Sequence, residues 1–114
     1  MVDKKIRTFS EKVKKRYPGA KVYLFGSRAR DDWLKDSDYD IIVISDKFKD
    51  KKVLERSKKF YPLWNNPEDL ELIAYTSKEF SRMKTKSTIL KDAQKYWKEI
   101  NWLVLIPNFK LFNK

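Results

Sequence analysis

The sequence predicts a single α/β domain over residues 1–114, a two-layer α+β arrangement in which helices pack against a small mixed β-sheet. Helical and strand-like segments alternate along the chain, which favours this class. A length of 114 residues suits one domain. Hydrophobic residues make up 41% of the chain, enough for a packed core. The run Ile41–Ile44 is apolar without alternation, which predicts a central strand that is covered on both faces.

The first half of the chain shows clear helix and strand signals. Apolar residues recur at spacings of three and four over residues 3–17, which predicts an amphipathic helix that ends at Pro18-Gly19. Lys21–Phe25 and Tyr39–Ile44 are rich in β-branched and aromatic residues, as strands are. Gly26-Ser27 breaks the first strand, and a short helix can begin at Arg28.

The second half predicts three further helices and two strands. We expect a basic amphipathic helix over residues 50–61 with Val53, Leu54, Ser57 and Phe60 or Tyr61 facing inward, and a strand at Leu70–Tyr75. Thr76 and Glu79 have capping-box spacing and open the next helix. The remaining signals are a helix marked by Leu90, Ala93, Trp97 and Ile100, and a final strand at Trp102–Ile106.

The composition excludes several kinds of chemistry. The chain has neither cysteine nor histidine, so disulfides, thiolate nucleophiles and imidazole bases or metal ligands are excluded. A membrane span needs about 20 apolar residues, and the sequence contains no such run. The N-terminus lacks the apolar stretch of a secretory signal, so we expect a cytoplasmic protein. Catalysis would use carboxylates, hydroxyls, cationic side chains, backbone amides or a metal held by oxygen.

Acidic residues are concentrated in two short stretches of a basic chain. The net charge is +11, which indicates a soluble lysine-rich surface or a polyanionic partner. The acids gather at 31–40 and 68–71. Like charges placed together repel each other unless a cation joins them. The two stretches therefore suggest a site for a cation.

Three sequence features could form one site, although each has a simpler interpretation. Gly26-Ser27 follows a strand and precedes a helix, where free backbone amides attract phosphate; it could also be an ordinary turn. Asp38 and Asp40 share one face of a strand and suit Mg²⁺, or could merely cap it. Glu71 lies inside a strand and either faces a site or faces solvent, and Asp69 is the alternative third acid.

Together, these features resemble the signature of the DNA polymerase beta-like nucleotidyltransferase superfamily, and in particular its minimal nucleotidyltransferases. The resemblance is carried by the Gly-Ser turn, the spacer that follows it, and the Ser37-Asp38-Tyr39-Asp40 run. Leu70–Ile73 is similar to the strand that brings the third acid. The similarity extends over residues 6–106 and implies a polymerase-beta-like nucleotidyltransferase fold.

The resemblance also implies an activity. A nucleoside monophosphate, expected to be AMP, would pass from a nucleoside triphosphate to an acceptor hydroxyl, assisted by two Mg²⁺ ions. Asp38, Asp40 and Glu71 would be the catalytic metal ligands. By the same resemblance, the nucleotide-binding residues would be Gly26, Ser27, Arg28 and Arg30.

The expected partner is a small helical protein of the HEPN type, in some pairs as a toxin–antitoxin system, or a second copy of the chain. Trp102–Ile106, Phe109 and Phe112 could form that interface or belong to the core. Two other functions remain open. The chain could be a non-catalytic, basic nucleic-acid-binding module, or an inactive nucleotidyltransferase.

Overall fold

The structure is a computed structural model that describes residues 4–30 and 38–100. None of the helices in these ranges is long and apolar enough to cross a membrane. The helices are α1 (Lys4–Arg16), α2 (Gly26–Arg30), α3 (Val53–Lys58), α4 (Ser77–Lys86) and α5 (Thr88–Ala93). The strands are β1 (Lys21–Phe25), β2 (Tyr39–Ile44), β3 (Leu70–Tyr75) and β4 (Lys98–Glu99).

The four strands form one mixed sheet in the order β3-β2-β1-β4. β1 is antiparallel to both β2 and β4, whereas β2 and β3 are parallel. The predicted class, the mixed sheet and the central position of β2 are confirmed, and β1, β2 and β3 have the predicted bounds. One end of the sheet, here called the acidic end, holds Phe25, Asp40 and Glu71 in register; the other, the basic end, holds Lys21, Ile44 and Tyr75.

Helices cover both faces of the sheet. On one face, Ile6, Phe9 and Val13 of α1 pack against alternate residues of the three long strands, such as Ile41 and Leu72. On the other face, apolar residues of α4 and α5 pack against alternate strand residues near the basic end; this second cluster is centred on Ile42, Ile44, Phe80 and Leu90. The acidic end of the second face lies at the edge of this cluster, where Phe25 packs against it.

The predicted helix over 50–61 is shorter than expected, and its predicted inward face is confirmed only in part: Phe60, just beyond the helix, is buried. α3 covers only Val53–Lys58, and Val53 and Leu54 are 40% and 80% exposed, so their predicted inward orientation is wrong. The buried residue is Arg56, which is 3% exposed. Its guanidinium donates to the carbonyls of Lys51 and Ala74 and forms an ion pair with Glu79. Burial of this cation is possible because each of its three guanidinium nitrogens donates to an acceptor.

The last predicted helix is also wrong in its second half. α5 ends at Ala93, and the chain then turns and runs beside β1 as β4. Trp97 packs into the second apolar cluster, and the Ile100 amide donates to the Val22 carbonyl. Pairing with β1 satisfies backbone groups that a helix would leave on an open sheet edge. The predicted strand Trp102–Ile106 and the residues Phe109 and Phe112 lie outside the described residues.

Candidate active site

Gly26 brings the start of α2 against a carboxylate of the neighbouring strand. Phe25 ends β1 opposite Asp40 of β2, and Gly26 follows with φ of +71°. A Cβ at this position would overlap the Asp40 Oδ2 atom. Glycine is required here by both the backbone conformation and the space. Ser27 is the second residue of α2.

The sheet register places two of the three predicted acids side by side. Asp40 of β2 pairs with Glu71 of β3 in the parallel ladder, so both side chains leave the same face of the sheet. β3 alternates strictly, with Leu70 and Leu72 buried and Glu71 exposed between them. Asp40 is half-buried, and the two carboxyl groups are close enough to hydrogen-bond through a shared proton.

The pKa of Asp40 is raised from 3.8 to about 6. Desolvation is the largest cause, followed by the hydrogen bond and the charge of Glu71 and by the charge of Asp38; Arg30 opposes the rise. Asp38 and Glu71 therefore both interact with Asp40. Perturbed acids that face one another in this way are typical of functional sites.

The two predicted arginines occupy different environments. Arg28 is 5% exposed; its Nη1 donates to the Tyr39 hydroxyl at 2.9 Å, and its guanidinium lies 3.8 Å from the centre of that ring. Tyr39 points to the α1 face, opposite Asp40. Arg30 is exposed, acts electrostatically on Asp40 and donates to the Tyr96 hydroxyl. Of the two arginines, Arg30 is therefore the exposed one near the carboxylates, and Arg28 supports the start of β2.

The carboxylates suit a hard cation in their chemistry. A divalent ion would offset both the desolvation and the repulsion that raise the pKa of Asp40, and oxygen is the ligand atom that Mg²⁺ prefers. Within residues 4–30 and 38–100, no three acidic side chains already stand in the geometry of a closed metal cage. Asp38 is exposed to solvent, whereas Asp40 is half-buried.

A cavity of about 490 Å³ adjoins the acids. Asp38 and Glu71 form one side of it, and Trp64 and Asn66 belong to the loop that precedes β3. Asp69, the alternative third acid, also borders this cavity, but the residue in register with Asp40 is Glu71. The arrangement favours Glu71 as the partner of Asp40 and leaves room beside it for a second substrate.

Trp64 is a residue that the sequence analysis missed. Its ring packs against Tyr39 at 4.8 Å and Phe9 at 5.6 Å, and its indole donates to the Glu68 carbonyl. Glu68 in turn pairs with Lys5 of α1. These contacts fix the loop before β3 to α1, and so position the start of the strand that carries Glu71. No local sequence pattern indicates this, because the partners lie far apart in the chain.

Comparison with known proteins identifies the family. No curated protein gives a significant match. A crystal structure from Sulfolobus solfataricus, of a protein provisionally described as a nucleotidyltransferase, is 30% identical with a TM-score of 0.58, and the match covers 69% of this chain and 70% of the other. The family model described as a nucleotidyltransferase domain matches residues 6–108. The chain therefore belongs to the nucleotidyltransferase domain family.

Proposed function

We propose that the protein transfers a nucleoside monophosphate, expected to be AMP, from a nucleoside triphosphate to an acceptor hydroxyl. The observation that carries this proposal is the side-by-side placement of Asp40 and Glu71 next to the Gly26 backbone. Triphosphate chemistry needs cationic stabilisation of the phosphoryl oxygens and a positioned acceptor, both of which this arrangement can supply.

Each residue has a distinct part in this proposal. Asp38, Asp40 and Glu71 would hold divalent cations, expected to be two Mg²⁺, that offset charge on the transferred group and on the departing pyrophosphate. The backbone at Gly26 and Ser27, with the exposed guanidinium of Arg30, would bind the β- and γ-phosphates. Glu71 borders the adjoining cavity, and its carboxylate could accept the proton of an acceptor hydroxyl there.

The acceptor is proposed to belong to a protein partner. The cavity beside Glu71 also carries Asp38, Glu68 and Asp69. Bound cations would offset the charges of Asp38 and Glu71, and Lys5 pairs with Glu68, but Asp69 would still repel the phosphate backbone of a nucleic acid acceptor. A hydroxyl side chain of a small helical protein of the HEPN type, or of a second copy of this chain, would avoid that repulsion. We propose the HEPN-type protein as the acceptor.

The proposal is tested with the purified chain, Mg²⁺ and each labelled nucleoside triphosphate, with and without a candidate helical protein. We expect Mg²⁺-dependent pyrophosphate release together with transfer of label to the acceptor. Asp40→Asn should abolish both signals, whereas Asp92→Asn, which changes an exposed carboxylate of α5 outside the site, should leave them unchanged. Full activity in the Asp40 variant, or triphosphate binding that is indifferent to Mg²⁺, would contradict the assignment.

A further inference from the structure

A second charged surface lies at the basic end of the sheet, away from the candidate active site. Three segments meet there: the end of α1 with the start of β1, the stretch after β2, and the end of α3. Aromatic contacts join them, since Tyr17 packs against Phe48 and Phe60 at ring distances of 5.2 Å and Phe48 packs against Phe60 at 5.4 Å. The three segments are therefore held in a fixed arrangement.

Each of the three aromatic residues is flanked by a basic residue that faces outward. Phe48 and Phe60 are almost completely buried, whereas Lys47 and Lys49 on either side of Phe48 are exposed. Arg16 precedes Tyr17 and Lys59 precedes Phe60. Burial of the rings thus forces cationic side chains from distant parts of the sequence onto one surface.

Cations on this surface are close enough to repel one another. The pKa of Lys59 is lowered, chiefly because its ammonium lies within hydrogen-bonding range of Lys51. Desolvation and the charges of Lys51 and Arg16 lower this pKa further, and the charge of Glu55 offsets the effect only in part. A bound anion would relieve this repulsion, which is offset only in part in the free protein.

A cavity of about 580 Å³ opens on the same end of the sheet. Its charged lining consists of Lys21, Lys47, Lys84 and the single carboxylate Asp46. Asp46 is already engaged, because its oxygens accept hydrogen bonds from the backbone amide and hydroxyl of Ser77 at the start of α4. Among the described residues, none of the three lysines forms an ion pair. The cavity is therefore cationic.

We infer that the cationic surface at the basic end of the sheet binds the phosphate backbone of a nucleic acid. This surface comprises Arg16, Lys47, Lys49, Lys51 and Lys59 together with the adjoining lysine-lined cavity. Five cationic side chains on one surface match a polyanion, since protein–nucleic acid interfaces are polar and strongly positive. A stable protein interface would instead need an apolar core, and Phe48 and Phe60 beneath this surface are buried in the core of the protein itself.

This binding is independent of the proposed catalysis. The carboxylates lie where β2 and β3 begin, and the cationic surface lies where these strands finish. A bound strand at the basic end would therefore leave the catalytic carboxylates accessible. The inference does not depend on the proposed function, and binding should persist in Asp40→Asn and in the absence of Mg²⁺.

The test measures fluorescence anisotropy of a labelled single-stranded RNA of about 20 nucleotides, longer than the site of a typical single-strand-binding module. The variant Lys47→Glu/Lys49→Glu/Lys51→Glu should bind at least about tenfold more weakly than the native chain at moderate salt. Loss of three phosphate contacts should also reduce the slope of log K against log salt by about 2. All three lysines are exposed, and a circular dichroism spectrum checks that the variant folds.

The matched control, Lys4→Glu/Lys91→Glu/Lys95→Glu, makes the same change in net charge at exposed lysines that neither belong to this surface nor line its cavity. It should retain most of the affinity and the native salt slope. DNA of the same length should bind similarly, and a polyglutamate peptide of matched charge should bind more weakly. Equal losses in both triple variants, equal affinity for polyglutamate, or no binding to RNA or DNA would each overturn the inference.

Discussion

Replacing Asp40 by Asn should stabilise the metal-free protein while it removes the proposed activity. Folding raises the pKa of Asp40 from 3.8 to about 6, so the folded state carries the charged form at a cost of at most about 3 kcal/mol. Because the group is only half-buried, solvent screening reduces this to about 1–2 kcal/mol. Asn keeps the shape of the side chain and can donate to Glu71. The gain should therefore appear as higher stability of the variant near neutral pH.

The sign of the pH dependence follows from linkage. Because the pKa of Asp40 is higher in the folded state, this group favours folding below about pH 4, and that contribution is lost as the pH rises through about 6. The difference in unfolding free energy between Asp40→Asn and the native chain should therefore grow over this window and level off above it. Denaturant titrations in EDTA between about pH 4 and pH 8 measure it. Asp92→Asn, at an exposed position, is the control.

Mg²⁺ should reverse the order of stability. An ion that binds only the folded state adds RT ln(1 + [L]/Kd), which is about 2.7 kcal/mol at a hundredfold excess over Kd. The native chain should gain this stabilisation, and Asp40→Asn should gain little of it. A difference that does not change with pH, or an Asp40→Asn variant that is the less stable protein in EDTA at neutral pH, would refute the reasoning about this carboxylate.

Three further predictions concern stability and substrate binding. Gly26→Ala should destabilise the protein more than Gly19→Ala does. Both positions have positive φ, so each substitution costs about 1–2 kcal/mol in backbone strain, but only at Gly26 would the new Cβ also meet a side chain. Denaturant titration measures the difference in unfolding free energy between the two variants. Arg56→Met should cost about 3–5 kcal/mol by the same measurement, since it strands the carboxylate of Glu79 and two carbonyls; a loss below 1 kcal/mol would contradict this. Arg30→Gln should raise KM for the nucleoside triphosphate with an unchanged melting temperature, and an unchanged KM would exclude Arg30 from nucleotide binding.

The sheet could be predicted from sequence because its signals are local. β-branched and aromatic runs mark the three long strands, and the non-alternating run in β2 reflects its place between β1 and β3. The grouping of the acids was also visible, since residues 38 and 40 flank the start of a buried strand. Their pairing with Glu71 depends on strand order and register, which no single segment encodes. The predicted roles of Asp38, Asp40 and Glu71 stay predictions.

Other parts of the structure depend on distant partners. Arg56 is buried because β3 and α4 supply acceptors for its guanidinium. The apolar periodicity of the sequence does not contain this information, and it therefore predicts that Val53 and Leu54 face inward. Residues 94–100 continue a helical spacing, yet Lys98 and Glu99 pair with the open edge of β1 as β4. In both cases, tertiary hydrogen bonds outweigh the local periodicity.

The separation of charge along the sheet links the two proposals. In the described residues, Asp38, Asp40, Asp69 and Glu71 gather where β2 and β3 begin, and Arg16, Lys51 and Lys59 gather beyond the ends of these strands. The acids should repel a nucleic acid from the first end, and the cations should attract it to the second. Each electrostatic effect has a range of only about 10 Å at moderate salt, so the two ends act separately. Such a strand would therefore be held on this protein without competing for the proposed nucleotide site. Raising the salt should release the strand while leaving the carboxylates able to bind cations.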